Sequence, residues 1–167
     1  MLVRADGATA SSTSFGSSGD ATYTLSLWPG IYDARFSANQ ALCVQGASAP
    51  AVPCVGGLVH AGAALQSDGV LDVDILPVKV SGKVTLLGAA LPTEAVDRGS
   101  ISFARTATEG GSAATFTLGT SASVTYSLTV TAGNYLVSHV ANSALCGSGR
   151  PLPGVPCSSQ VIIGCAK

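Results

Sequence analysis

The sequence predicts an all-β protein built from two tandem antiparallel β-sandwich modules. Three observations carry that expectation. Apolar residues recur at every second position, and no segment carries the 3.6-residue period of an amphipathic helix. Gly and Pro clusters punctuate the chain at short intervals, as they do between strands. One block also occurs twice at a constant offset: Tyr23-Thr24-Leu25 returns as Tyr126-Ser127-Leu128, and Gly30-Ile31-Tyr32 as Gly133-Asn134-Tyr135. Ala38-Asn39 and Ala41-Leu42-Cys43 return as Ala141-Asn142 and Ala144-Leu145-Cys146, and Val52-Pro53-Cys54 as Val155-Pro156-Cys157. A gapless recurrence that keeps Tyr, Gly, Asn, Pro and both Cys marks two copies of one module.

The 167 residues hold two small domains comfortably, and 47% hydrophobic against 10% charged residues predicts a folded chain. In the first copy, Tyr23 to Leu25 enters a turn at Trp28-Pro29-Gly30, and Ile31 to Ala38 runs back from it. Leu71 to Ile75 alternates again and reads as the last strand of that copy. In the second copy, Val78 to Leu86 reads as a first strand, followed by Ser100 to Ala104, Ala114 to Leu118 and Val124 to Val130. Thr125, Ser127 and Thr129 are expected to face outward, with Val124, Tyr126, Leu128 and Val130 inward. Thr131 to Asn134 makes a tight turn around Gly133, and Tyr135 to Ala141 returns as the partner strand.

The module boundary falls near Asp74 to Pro77, because Pro77 cannot donate to a ladder. This gives a first module over residues 1-76 and a second over 77-167, arranged end to end with limited freedom. The first has no counterpart of the strand Val78 to Leu86, and the second none of Leu71 to Ile75. Either the chain is a piece of a longer array, which is the favoured reading, or a neighbouring copy donates the missing strands across an open edge.

Cys43 and Cys54 recur with their spacing intact as Cys146 and Cys157, so one local disulfide per module is expected. Each would stabilise by about 3 kcal/mol through the unfolded chain. Zinc is the rival, but structural zinc sites favour ligands two to four residues apart. Disulfides place the protein in an oxidising compartment: periplasm, cell surface or extracellular medium. Cys165 is left over, with a partner expected beyond this sequence. The first residues lack the basic and apolar regions of a signal peptide, and no apolar run reaches the roughly 18 residues needed to cross a bilayer.

A formal net charge of −1 without Lys or Arg blocks argues against nucleic acid as a partner. Catalytic signatures such as Gly-x-Ser-x-Gly or His-Glu-x-x-His are missing, so no enzyme and no cofactor is expected. Asp68, Asp72 and Asp74 have calcium as their sharp reading, but alternation explains Asp72 and Asp74 as a solvated strand face. His60 and His139 occupy non-equivalent places in the two copies and read as strand residues.

Recognition is expected in the loops. Asn39 and Asn142 should fix the turns into the disulfide loops, and Arg150 sits in the second of these loops, Gly147 to Pro156. Trp28, at a turn where the second copy has Thr131, either covers the end of the core, which is the favoured reading, or contacts carbohydrate or protein from the loop tip.

Taken in order, Val80-Ser81-Gly82-Lys83-Val84-Thr85, Gly88 to Leu91-Pro92, Tyr126-Ser127-Leu128 and Gly133-Asn134-Tyr135-Leu136-Val137 form a pattern. It resembles the carboxypeptidase regulatory-like and collagen-adhesin B-type repeats, and the first copy carries its second half as Tyr23 to Leu25, Pro29-Gly30 and Tyr32. The resemblance implies prealbumin-like, Greek-key sandwiches used as spacer or adhesion repeats of secreted or surface bacterial proteins, or as accessory domains of a secreted hydrolase. Partners would be protein, carbohydrate or neighbouring repeats. The isopeptide crosslink of some members is not expected: Lys79 and Lys83 lie on the right strand, but the Asn partner is missing, and Glu94 and Glu109 sit in loops.

Overall fold

The computed structural model describes residues 1–15, 21–43, 51–106, 112–146, 156 and 160–162, with no side-chain description at 146 or 160–162. The fold is all-β, in three antiparallel sheets. Strands β1 (Leu2–Arg4), β2 (Thr9–Ser11), β3 (Gly30–Phe36) and β4 (Gly57–Leu65) form one sheet in the order β2-β1-β3-β4. Strands β6 (Gly99–Arg105), β7 (Ala113–Thr117), β9 (Tyr135–Ala141) and β10 (Gln160–Ile162) form a second, ordered β10-β9-β6-β7. The third sheet pairs β5 (Pro77–Val84) with β8 (Val124–Thr131).

The repeat in the sequence is thus a repeat of topology. Tyr32 opposes Arg4 as Tyr135 opposes Arg105, and Ala34 opposes Leu2 as Val137 opposes Phe103. Strands β1, β2, β3 and β4 correspond in turn to β6, β7, β9 and β10. The repeated Gly-x-Tyr does the same job twice. The Tyr135 hydroxyl donates to the Thr131 carbonyl at 2.8 Å, and Tyr32 donates to the Trp28 carbonyl, also four residues back. Each ring fixes the chain reversal that precedes its strand.

The second module closes into a sandwich. Val124, Leu128 and Val130 of β8 point at Ile101, Phe103, Ala114 and Phe116 of the facing sheet, and all are buried. Tyr126 lies 5.1 Å from the Phe116 ring centre and 5.5 Å from that of Phe103, within the range of favourable aromatic pairs. Opposite Tyr126 in the β5–β8 ladder is Gly82. A side chain there would begin 2.8 Å from the Tyr126 hydroxyl, so glycine is what lets the ring lie across the strand.

The first module keeps its four-stranded sheet, and among the described residues no paired second layer faces it. The segment 21–28, which corresponds to β8, is extended and alternates inward Tyr23, Leu25 and Leu27 with exposed neighbours, yet it joins no sheet. The segment 71–75 behaves likewise, with Leu71, Val73 and Ile75 half-buried and Asp72 and Asp74 exposed. Both were expected as strands. Among the described residues no strand pairs with either segment, whereas β5 pairs with β8 in the second module.

The modules are more than end to end. Cys54 and Val55 are fully buried and belong to the hydrophobic cluster of the second module, with Leu42 and Cys43 packed beside them. The Cys54 amide donates to the Thr129 carbonyl at 2.8 Å, and the Thr131 hydroxyl donates to the Val55 carbonyl at 3.1 Å. Arg105 reaches the Leu58 carbonyl, and Ala132 N the Leu76 carbonyl. This contact overturns one expectation of facing. Thr129, placed outward by alternation, is buried together with Thr131, because the first module's loop covers that end of β8.

Candidate binding surface

The residues singled out for recognition separate into scaffold and surface. Asn39 and Asn142 are scaffold: each accepts from the backbone amide two residues on, Ala41 or Ala144, at 3.0 Å, capping the short 3₁₀ turns Gln40–Leu42 and Ser143–Cys146. Asn142 also donates to the Asp97 carbonyl at 2.9 Å. The repeated Asn therefore sets the direction in which the chain enters each cysteine loop.

Cys43 and Cys54 form the expected local disulfide, with Cα atoms 5.2 Å apart. It clips the segment that carries Val55 into the neighbouring core, so it serves the joint between modules. Arg150, Cys157, Cys165, Glu109 and the side chain of Cys146 lie outside the described residues.

Trp28 is 81% exposed. The expectation that it covers a core is not met: it holds the position that Thr131 holds in the second module, where Val55, Arg105 and Tyr135 all meet the Thr131 hydroxyl. Lys79 and Lys83 project from the outer face of β5, exposed to solvent. His60 is exposed on β4, while His139 is buried and hydrogen-bonds the Arg98 carbonyl at 3.2 Å. Among the described residues, no three His, Cys, Asp or Glu side chains gather as a metal site.

One concavity lies in the first module. A groove of about 980 Å³ runs between the extended segment 21–29 and the facing stretch 65–72, with Tyr23, Leu25, Leu27 and Trp28 on one wall and Leu65 and Leu71 on the other. The Tyr23 hydroxyl crosses it to donate to the Leu71 carbonyl. A smaller hollow of about 220 Å³ lies beneath, between these segments and the sheet. Such a groove, lined by apolar side chains and by a segment that joins no ladder among the described residues, can take an extended chain.

Sequence reasoning passed over two features. Arg98 is fully buried, and its guanidinium donates to the carbonyls of Pro92 (2.8 Å), Leu118 (2.7 Å), Gly119 (2.9 Å) and Ser121, tying two loops together at the end of the second core. A lone Arg in a loop gives no sequence signal of that role. Leu87 is 99% exposed with φ of 52°, at the tip of a two-residue hairpin closed by reciprocal Leu86–Ala89 hydrogen bonds. Leu87-Gly88 occupies a turn that favours Asn-Gly. No family model, curated protein or solved structure matches this chain.

Proposed function

We propose that the chain is a non-catalytic pair of spacer or adhesion repeats from a secreted or cell-surface bacterial protein, of the carboxypeptidase regulatory-like and collagen-adhesin B kind. The observation that carries this reading is the joint. Cys54 and Val55, held by the Cys43–Cys54 disulfide, are buried in the core of the next module, so two repeats of one topology act as a stiff rod segment rather than as beads on a string. Stiffness across repeats is what a spacer requires, since a flexible linker would let a distal domain collapse back. The disulfide fits an oxidising location.

Small-angle scattering tests the reading. The oxidised protein should scatter as one rigid two-module particle, and the pair Cys43→Ser and Cys54→Ser should lengthen its maximum dimension and smear its profile. An oxidised protein as flexible as the variant would sink it.

A second reading, an accessory carbohydrate-binding domain of a secreted hydrolase, is favoured by one observation, the exposure of Trp28. A glycan array with Trp28→Ala as control tests it. Binding that is lost in the variant supports the accessory role, and silence across the array leaves the spacer.

A further inference from the structure

We propose that the Cys43–Cys54 bond is a protected site for thiol–disulfide exchange with a dithiol reductant. With the modules docked, the reductant meets the bond only through Cys43 and reduction is slow; separation of the modules makes it fast. The proposal rests on the joint invoked for the spacer reading and adds a chemical response to it. The two sulfurs have different surroundings. Cys54 has no exposed surface and sits with Val55 in the hydrophobic cluster of the second module. Cys43 is half-buried and packs against that cluster. In exchange a thiolate attacks one sulfur and the other departs. Of the pair, only Cys43 offers surface to a nucleophile, so Cys54 is the leaving group. Its thiolate would emerge among apolar side chains, where an unpaired charge is poorly solvated. Access and departure both oppose reduction while the joint is shut.

The protection is supplied by the module that does not carry the bond. Gln40 Nε2 donates to the Ala113 carbonyl at 3.3 Å, and the Gly56 amide donates to the Ser112 hydroxyl at 3.3 Å, so the chain is anchored both before Cys43 and after Cys54. Between them lie the bonds from Cys54 to Thr129 and from Thr131 to Val55. Arg105 adds donations to the Leu58 carbonyl and the Thr131 hydroxyl. Linkage makes the relation reciprocal: a disulfide that favours docking is itself favoured by docking to the same extent.

The exchange is a balanced reaction. One thiolate of the dithiol attacks Cys43 Sγ, the Cys43–Cys54 bond breaks, and Cys54 leaves and takes up a proton. The second thiol of the reductant, as its thiolate, then displaces Cys43, which is protonated in turn. The protein bond gains two electrons and two protons, and the dithiol becomes a disulfide. Once the pair is open, Val55 is no longer clipped in place and the joint shuts less readily. A separation of the modules is thereby recorded in the chain until the pair is reoxidised.

The test treats the oxidised full chain with dithiothreitol, quenches by alkylation at intervals and follows Cys43 and Cys54 by peptide mapping. Reduction should run about tenfold or more slowly than in the same chain unfolded in urea, because the rate follows the population of open joints. Arg105→Ala and Val55→Asp, which loosen the joint from its two sides, should each speed it severalfold. The new carboxylate of Val55→Asp would by itself repel a thiolate, so acceleration there reports opening. With excess 2-mercaptoethanol, a monothiol, the trapped adduct should sit on Cys43 and leave Cys54 to the alkylating agent. Two results overturn the proposal: adducts shared equally between the two cysteines, or a reduction rate that neither substitution changes in proteins shown folded by circular dichroism. The adduct position is read on the unsubstituted protein, so it decides even where a variant does not fold. The spacer reading fails separately, by scattering: a rigid oxidised particle with either of these results keeps the spacer and loses the protected bond.

Discussion

The two modules share strand order and register, yet only one has a complete interior. Among the described residues the second cluster contains twelve buried side chains and the first contains three, Leu2, Tyr32 and Ala34. The difference traces to one strand. β5 pairs with β8 and the inward residues of β8 are sealed, whereas segment 21–28 keeps the alternation, joins no ladder among the described residues and stays half-exposed. Alternation sets which side chains point inward, and the ladder decides whether they are buried there. Composition follows the same division: where the second module has Phe103 and Phe116 around Tyr126, the first has Leu2 and Thr13 at the corresponding places near Tyr23.

The comparison can be broken most severely at Arg98. Arg98→Ala would take the donor from the carbonyls of Pro92, Leu118 and Ser121, while Gly119 keeps the residue 98 amide, and should cost about 4 kcal/mol of second-module stability, since each orphaned group costs roughly 1–3 kcal/mol and water recovers part of the sum. Chemical denaturation resolved by module-specific hydrogen exchange would measure it, and a loss under 1 kcal/mol would mean the loops hold without the clamp. A sharper probe is one substitution made at two corresponding positions. Leu128→Ala, in a sealed core, should cost about 3 kcal/mol, whereas Leu25→Ala should cost less than about 1 kcal/mol. Equal costs would show that the first module buries its second layer after all. Hydrogen exchange on the unsubstituted protein makes the same contrast, with amides of 22–27 exchanging far faster than those of 125–130.

Next in size is the disulfide. Reducing Cys43–Cys54, or replacing the pair by Ser, should remove a little under 3 kcal/mol by the loop-closure estimate. The unusual expectation is where the loss is felt: exchange should rise around Thr129 and Thr131 of the second module. Protection unchanged there would show that Val55 stays seated without the clip. The smallest effect is at the hairpin tip. Leu87→Asn relieves a left-handed backbone at a branched residue and should raise stability by about 1 kcal/mol, read as a shift in denaturation midpoint. A loss instead would show that Leu87 is held in place by a contact.

Much of the fold was legible before any coordinates. The stretches Val78 to Leu86, Ser100 to Ala104, Ala114 to Leu118, Val124 to Val130 and Tyr135 to Ala141 became β5, β6, β7, β8 and β9, because two-residue alternation between Gly and Pro is a local signal and strands keep it. The Cys43–Cys54 pairing was also legible, from duplication of the spacing. What escaped depended on neighbours far along the chain. Burial of Thr129 needs Cys54, exposure of Trp28 depends on what packs at that turn, and the groove needs segment 65–72 brought opposite segment 21–29. Arg98 escaped for a related reason, since carbonyl acceptors are present in every residue and leave no mark in a sequence.

The burial of Cys54 and Val55 inside the neighbouring module has a bearing on biogenesis. A chain leaving the ribosome presents its first cysteine pair well before β8 exists, and in a reducing cytosol that pair would stay open. The second module would then have to shut its lower end without a plug. Oxidation of the pair closes the loop and holds the plug, so the rigidity of both repeats depends on the redox state of their surroundings.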